Sequence, residues 1–476
     1  MFTRIRKPHM AMALTLGLLG SVRADDPNPG ERAKAFYTER YRPQFHFTAR
    51  EGWLNDPNGC VYFDGEYHLF FQHNPAGVQW GNMTWGHAVS TNLVHWRQLP
   101  NAIHPYDGGT IWSGSAVADL QNTSGLGQDG AVALVAAFTH ARGPYGQALA
   151  FSMDRGRTWT LYEGGKHVVP NQGIRGDERD PKVFWHVPSS RWIMVLWVCH
   201  GKARFLSSPD LKNWTHVSDF DGEGFYECPD LFELPVDGDP KNTRWVLTDA
   251  GFRYWIGAFD GKQFQAEAGP FKGEWGANFY AAQTWNHTEG RVVQIGWMKG
   301  GNYPGMPFNQ QMSFPCELTL RTTPNGLRVF RQPVPEIRSL YAEMTEVRET
   351  HLKAGEERAI GRPGELFDIA AELEPPAVGV FGIRVHGVEI TYAGGQIRCL
   401  GKEAPVTLTG QALDLRILVD RTSLELFANR GEVGMSFCIL PSELESTVQC
   451  YAKEADANLR ARTVHRLRSI WENDRL

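Results

Sequence analysis

The chain is poor in long apolar runs. After the stretch Met10 to Gly20, nothing comparable occurs in its 476 residues, which excludes a multi-span membrane protein. It carries no surplus of one charge. Lysine and arginine total 48 against 53 aspartate and glutamate, well mixed, for a net charge of −5. Neither nucleic acid nor a membrane surface is therefore indicated as a partner. Its seven cysteines, Cys60, Cys199, Cys228, Cys316, Cys399, Cys438 and Cys450, show neither Cys-x-x-Cys nor Cys/His ligand spacing. A zinc site is not expected, no other metal or organic cofactor is suggested, and a chain this large does not need disulfides. Mostly buried free thiols are expected. Helical periodicity is hard to find before residue 330.

What is present begins with an ordered N-terminus. Arg4, Arg6 and Lys7 form a basic start, the apolar run follows, and Val22-Arg23-Ala24 supplies a small-x-small cleavage pattern before Asp25-Asp26. Residues 1–24 read as a secretory signal peptide too short for a stable anchor, so a secreted or periplasmic protein is expected. The remaining length suggests two domains. Sixteen Trp and 26 Phe are a heavy aromatic load. Cores use aromatics, but so do sugar sites, because a sugar ring is an apolar plate rimmed by hydroxyls.

Three stretches resemble one another: "STNLVHW" from Ser90, "SMDRGRTW" from Ser152 and "SSPDLKNW" from Ser207, with "FDGKQF" from Phe259 as a worn fourth copy. Between them the text reads as short strands and turns, as in "GEYHLFFQHNP" and "RWIMVLWVCH". Repeats of this length built from about four strands indicate a propeller, with room for about five blades over 38–337. The competing reading is a sandwich with chance turn similarity. "RQPVPEI" then marks a boundary, and "SLYAEMTEVRE" reads as a short helix or connector. Alternating stretches such as "GVFGIRVHGVEITYAG" follow, so 345–476 is expected to be a β-sandwich. The expected fold is all-β, a five-bladed β-propeller followed by a C-terminal β-sandwich.

Three acidic motifs fall in different repeats: Asp56 in "WLNDPNG", Asp180 in "GDERDPKVFW" and Glu227 in "FYECPDLFELP". Asp-Pro-Asn-Gly is close to an ideal turn, and a residue before proline is held to extended geometry. Acids from separate blades could converge on the axis. Glycoside hydrolysis needs two carboxyls, one attacking the anomeric carbon and one donating a proton to the leaving oxygen. From the residues alone, a structural role for each acid stays as open as the convergent site.

The chain resembles glycoside hydrolase family 32, the β-fructofuranosidases: invertases, inulinases and levanases. "WLNDPNG", "YHLFFQHNP", "WGHAVSTNLVHW", "IWSGSAV", "RDPKVFW", "ECPDLFELPVDG", "NFYAAQTW", "IGWM" and "VDRTSLELFANRG" carry the resemblance in order across nearly the whole chain. It implies Asp56 as nucleophile, Glu227 as general acid/base, and Asp180 as transition-state stabiliser beside Arg179. It implies Asn55, Gln72, Trp80 and Ser113 lining a fructose pocket, with Trp112 and Trp297 as apolar walls. Cys228 reads as a packing residue that tunes the surroundings of Glu227.

The implied reaction is double displacement with retention on fructan or sucrose, and a monomer or homodimer is expected. The family's Asp-Tyr-Gly is replaced by Glu274-Trp275-Gly276, with Asn278 further on, and the "GWM" segment continues without Trp-Arg. These departures put preference for sucrose in doubt, and "RDPKVFW" and "ECPDLFELPVDG" resemble microbial levanases and inulinases, which favours exo-acting hydrolysis of levan or inulin, with invertase as the nearest rival. "SMDRGRTW" nearly spells the Asp-box of sialidases, yet neither their arginine cluster nor their Tyr nucleophile can be assembled. A catalytically silent fructan-binding protein would have no reason to retain all three acids.

Overall fold

The computed structural model describes residues 37–408 and 410–472; the expected signal peptide, 1–24, lies outside them. Five four-stranded blades surround an axis, with inner strands Gly52–Phe63, Thr110–Ala118, Arg179–His186, Asp230–Val236 and Tyr280–Thr284. The first blade gains a short parallel strand, Phe308–Asn309, on its inner edge. Fourth and fifth blades join through a single parallel pairing, Val236 with Leu320.

The repeated motifs occupy one position, the turn between the third and fourth strands of the first four blades. In each, an Asn or Asp side chain caps the turn: Asn92 accepts from His95 N, Asp154 from Arg157 N, Asp210 from Asn213 N and Asp260 from Gln263 N. The tryptophan then folds back, and Trp96, Trp159 and Trp214 donate to Leu93, Gly156 and Leu211 carbonyls. An acceptor side chain that replaces a backbone turn bond, plus a ring that covers the turn, accounts for the recurring pattern.

Apolar clusters wedge between successive blades. Phe70, Trp85 and Phe138 fill the first interval, Met194 and Leu196 the second, and Trp197, Phe205 and Trp255 the third. Each such side chain contributes roughly 1.5–3 kcal/mol by burial, so the ring closes on packing.

The segment read as a helix or connector is a short 3-10 turn, Pro335–Leu340, and then a strand, Tyr341–Val347, paired with Ala457–Leu467. Edge pairing decided the outcome. Two sheets pack into the sandwich around Phe367, Ile383, Leu415 and Leu426.

The two units are sewn together by polar contacts. Propeller residues 274–278 run along the sandwich edge strand Val433–Cys438: Trp275 N donates to Gly434 O at 2.9 Å, and Asn278 N to Ser436 O at 3.0 Å. Gly276 is needed there, because a Cβ would lie 2.3 Å from Ser436 backbone atoms. Glu274 is buried against Arg331 and Ser436 N. At the other end of the seam, His46 bridges Asp420 at 2.9 Å and Glu425 at 2.8 Å. Burial pulls the imidazole down, but the two carboxylates raise it to about 9.

Candidate active site

Asp-Pro-Asn-Gly makes no turn. It lies within one continuous strand, Gly52–Phe63, whose register slips between Leu54 and Pro57 and again between Asn58 and Val61. A bulge instead of a turn therefore aims Asp56, because an extra residue swings one side chain out of the alternation. The same irregularity recurs on three of the other four inner strands, between Trp112 and Gly114, Arg179 and Lys182, and Tyr280 and Gln283. Asp180 does not keep the extended geometry expected before proline. It sits at φ +65 within its bulge, and Glu227 and Cys228 adopt φ +54 and +41. Such backbone costs on the order of 1–3 kcal/mol per residue and persists where the surroundings over-determine it.

Two bulges and one loop bring the three acids to one end of the axis: Asp56 and Asp180 sit in bulges, and Glu227 lies on the bend just before the inner strand Asp230–Val236. Asp56 accepts from Ser113 Oγ at 2.6 Å and from Asn55 Nδ2 at 3.1 Å. Asp180 accepts from Cys228 N at 3.1 Å, and its own N–H is held by Thr139 Oγ1 at 3.0 Å. Cys228 Sγ lies 3.4 Å from Asp180 and 3.7 Å from Asp56. Cys228 is thus a neutral donor shared by two carboxyls, a larger part than packing. Burial and the surrounding carboxyls hold its thiol well above the usual range. Glu227 accepts from Arg179 Nη2 and from Tyr280 Oη, each at 2.5 Å.

Burial pushes Asp56 upward, opposed by Ser113 and Asn55 and reinforced by Glu227. Asp180 is pushed to about 7 by burial, with Arg179 opposing and Glu227 and Asp56 adding to the rise. Three carboxyls facing one guanidinium cannot all ionise cheaply, so the cluster keeps a proton into the neutral range.

The remaining expected residues form the surroundings. Gln72 is buried and acts at one remove: with the Asn58 amide oriented to satisfy its neighbours, Gln72 Nε2 donates to Asn58 Oδ1 at 3.0 Å, and Asn58 Nδ2 donates to Ser113 Oγ at 3.3 Å. Arg179 also lies over the Trp197 ring, 4.1 Å from its centroid. Trp112 carries Trp80 edge-on at 6.0 Å, and Trp80 is 57% exposed, which places it on the rim. On the fifth blade, Trp297 meets both Trp53 and Tyr280 edge-on. Tyr280, Asn58, Thr139 and Trp53 were not singled out beforehand. Tyr280 lay inside "NFYAAQTW", but nothing in that motif says that its hydroxyl reaches Glu227. Burial and Glu227 hold the phenol well above its ordinary value, so it remains a donor. Among the described residues no group of His, Cys, Asp and Glu is arranged to hold a metal ion.

The family model for the glycosyl hydrolases family 32 N-terminal domain matches residues 46–333, and that for the family 32 C-terminal domain matches 336–466. The chain belongs to glycoside hydrolase family 32. It is 38% identical to a levanase of Bacillus subtilis (strain 168), over 92% of this chain and 72% of that protein. It is 34% identical to an extracellular exo-inulinase of Aspergillus niger, over 86% of this chain and 91% of that protein. The crystal structure of exo-inulinase from Aspergillus awamori superposes with a TM-score of 0.83 at 29% identity, covering 91% of this chain and all of that one. A fructofuranosidase from Schwanniomyces occidentalis complexed with fructose gives 0.79 at 26%, covering 91% and 99%. This family 32 member is a glycoside hydrolase of the β-fructofuranosidase type. No helix among its described residues is long and apolar enough to cross a membrane.

Proposed function

We propose that this family 32 chain removes terminal fructosyl units from fructans, levan or inulin, by double displacement with retention. The convergence of Asp56, Asp180 and Glu227 on one end of the axis around a single arginine carries the reading. Asp56 attacks C2 of the fructosyl unit, and the bond from C2 to the bridging oxygen breaks. Glu227 gives that oxygen its proton. Water then attacks C2 of the fructosyl–Asp56 ester while Glu227 takes the water's proton, which releases fructose and regenerates both carboxyls.

The proton must reside on Glu227, yet both of its partners here, Arg179 and Tyr280, are donors. Substrate entry therefore draws Arg179 off Glu227, and a proton kept in the cluster moves onto it. Asp180 and Arg179 hold ring hydroxyls as positive charge grows at C2. The tryptophan walls on two sides favour a pocket that takes chain ends. Glu274, which stands where relatives have aspartate, turns into the seam and leaves the rim, which supports a polymer over sucrose. The N-terminal pattern supports export after removal of 1–24, leaving a catalytic propeller at 38–337 and a sandwich at 345–476.

The test is incubation with sucrose, inulin and levan, an Asp56→Asn variant alongside, and early proton NMR of the released anomer. Fructose alone, first released as the β-anomer, and a loss on the order of 10⁴-fold in the variant are expected. Short oligomers would overturn exo action, and α-fructose would overturn retention. Silence on all three substrates would favour a binding protein.

A further inference from the structure

The replaced loop has a partner in space. Lys299 follows "GWM", is exposed, and its Nζ stands 3.9 Å from the centroid of the Tyr280 ring and 5.8 Å from that of Trp297. Among the described residues no carboxylate pairs with it. Its backbone is nonetheless held tightly. Gln310 Oε1 accepts from Trp297 Nε1 at 2.9 Å and from Gly300 N at 3.3 Å, on either side of it. Asn278 Nδ2 donates to the Lys299 carbonyl at 2.6 Å, and Asn278 Oδ1 accepts from Cys438 N at 2.9 Å, on the sandwich edge strand. An ammonium on a pinned backbone over an aromatic face has its donors free for a ligand.

Depth assigns the ligand. The Asp180 side chain is 7% exposed and that of Glu227 20%, while Lys299 lies outside both, over the ring whose hydroxyl bonds Glu227. A fructosyl unit placed with C2 at Asp56 fills the deep part. Beyond the acid, the position beside Lys299 belongs to the departing sugar.

We propose that Lys299 is a specificity-determining residue that donates hydrogen bonds to hydroxyls of the leaving sugar, and that Asn278 is a positioning residue that hangs it from the sandwich. The proposal rests on the fructosidase reading above. It gives the second domain a part in substrate choice: Cys438 holds Asn278, and Asn278 holds Lys299.

The experiment compares kcat and KM of wild type, Lys299→Met, Lys299→Arg and Asn278→Ala on four substrates. These are sucrose, a β-2,1-linked fructotriose, a β-2,6-linked fructotriose and 4-nitrophenyl β-D-fructofuranoside, whose leaving group has no hydroxyls to bind. Lys299→Met should lower kcat/KM about 10-fold on at least one fructotriose and far less on the aryl fructoside. Lys299→Arg, which keeps donors, should recover most of that loss. Asn278→Ala should show the same selectivity, weaker and mainly in KM. Equal losses on all four substrates, or none on any, would overturn the proposal. A wild type inactive on all four would instead sink the fructosidase reading itself.

Discussion

Two successive layers of the propeller axis bury charge and resolve it in opposite ways. In the deeper layer Lys182 meets Asp230 one to one at 3.0 Å, both almost wholly inaccessible, and Thr284 supplies further partners to each. In the outer layer three carboxyls cluster beside one arginine, which reaches Glu227 and Asp180 and also Asp177 further out, while Asp56 is held by Ser113 and Asn55 instead. The layers are two residues apart on one strand, at Asp180 and Lys182, with the bulge between Arg179 and Lys182 separating them. The matched pair balances its own charge and ties together the strands beneath the acids. The mismatched cluster has more carboxyls than its arginine can balance and so retains a proton, which is the state acid–base chemistry draws on.

The largest effect should come from breaking the matched layer. Lys182→Met leaves Asp230 buried and alone, and stability should fall by about 3–5 kcal/mol, read from the urea denaturation midpoint. Asp56→Asn relieves a surplus and should leave that midpoint no lower than wild type. Equal losses in both variants would erase the contrast.

The seam sharpens the comparison with a third arrangement, one imidazole between two carboxylates. Because His46 is held at about 9, its contribution is complete below its ordinary value and fades as pH rises through 9. His46→Gln should cost about 2 kcal/mol at pH 6 and much less at pH 10, measured by denaturation at each pH. A cost that does not change with pH would show that the imidazole is neutral.

The smallest effect is expected at Asp180. Its carboxyl titrates near 7 in the folded protein, above the usual value, so the folded state binds that proton more tightly. Its contribution to stability therefore falls as pH rises from about 4 to about 7. Asp180→Asn should raise the thermal midpoint at pH 8 by about 2 °C and leave it nearly unchanged at pH 4, by calorimetry. A gain confined to pH 4 would reverse the sign of the argument.

Much of this was legible in the chain because local chemistry repeats. A capping Asn or Asp followed by a tryptophan means the same thing in each blade, so the propeller could be read without a structure. Asp56, Asp180 and Glu227 stood out because each sits beside proline or a family motif. What stayed hidden depends on elements far apart in sequence. Asp-Pro-Asn-Gly satisfies the chemistry of a turn, but pairing of Pro57 and Asn58 with Phe71 and Phe70 holds it as a strand. Tyr280 is an ordinary strand residue until the ring closes and brings Glu227 to it. Glu274 suggested a substrate contact by its place in a motif, but Arg331 and the sandwich edge claim it.

The ring of bulges has a consequence for how such an enzyme can change. Asp56 and Asp180 are aimed by slips in strand pairing, a property of the propeller's own hydrogen bonding, and Glu227 by the short bend that leads into the fourth inner strand. Loops around the mouth are therefore free to lengthen, exchange residues or lean on the neighbouring unit while the reactive layer keeps its shape. One scaffold could then be re-tailored for polymers of different linkage by editing its rim alone.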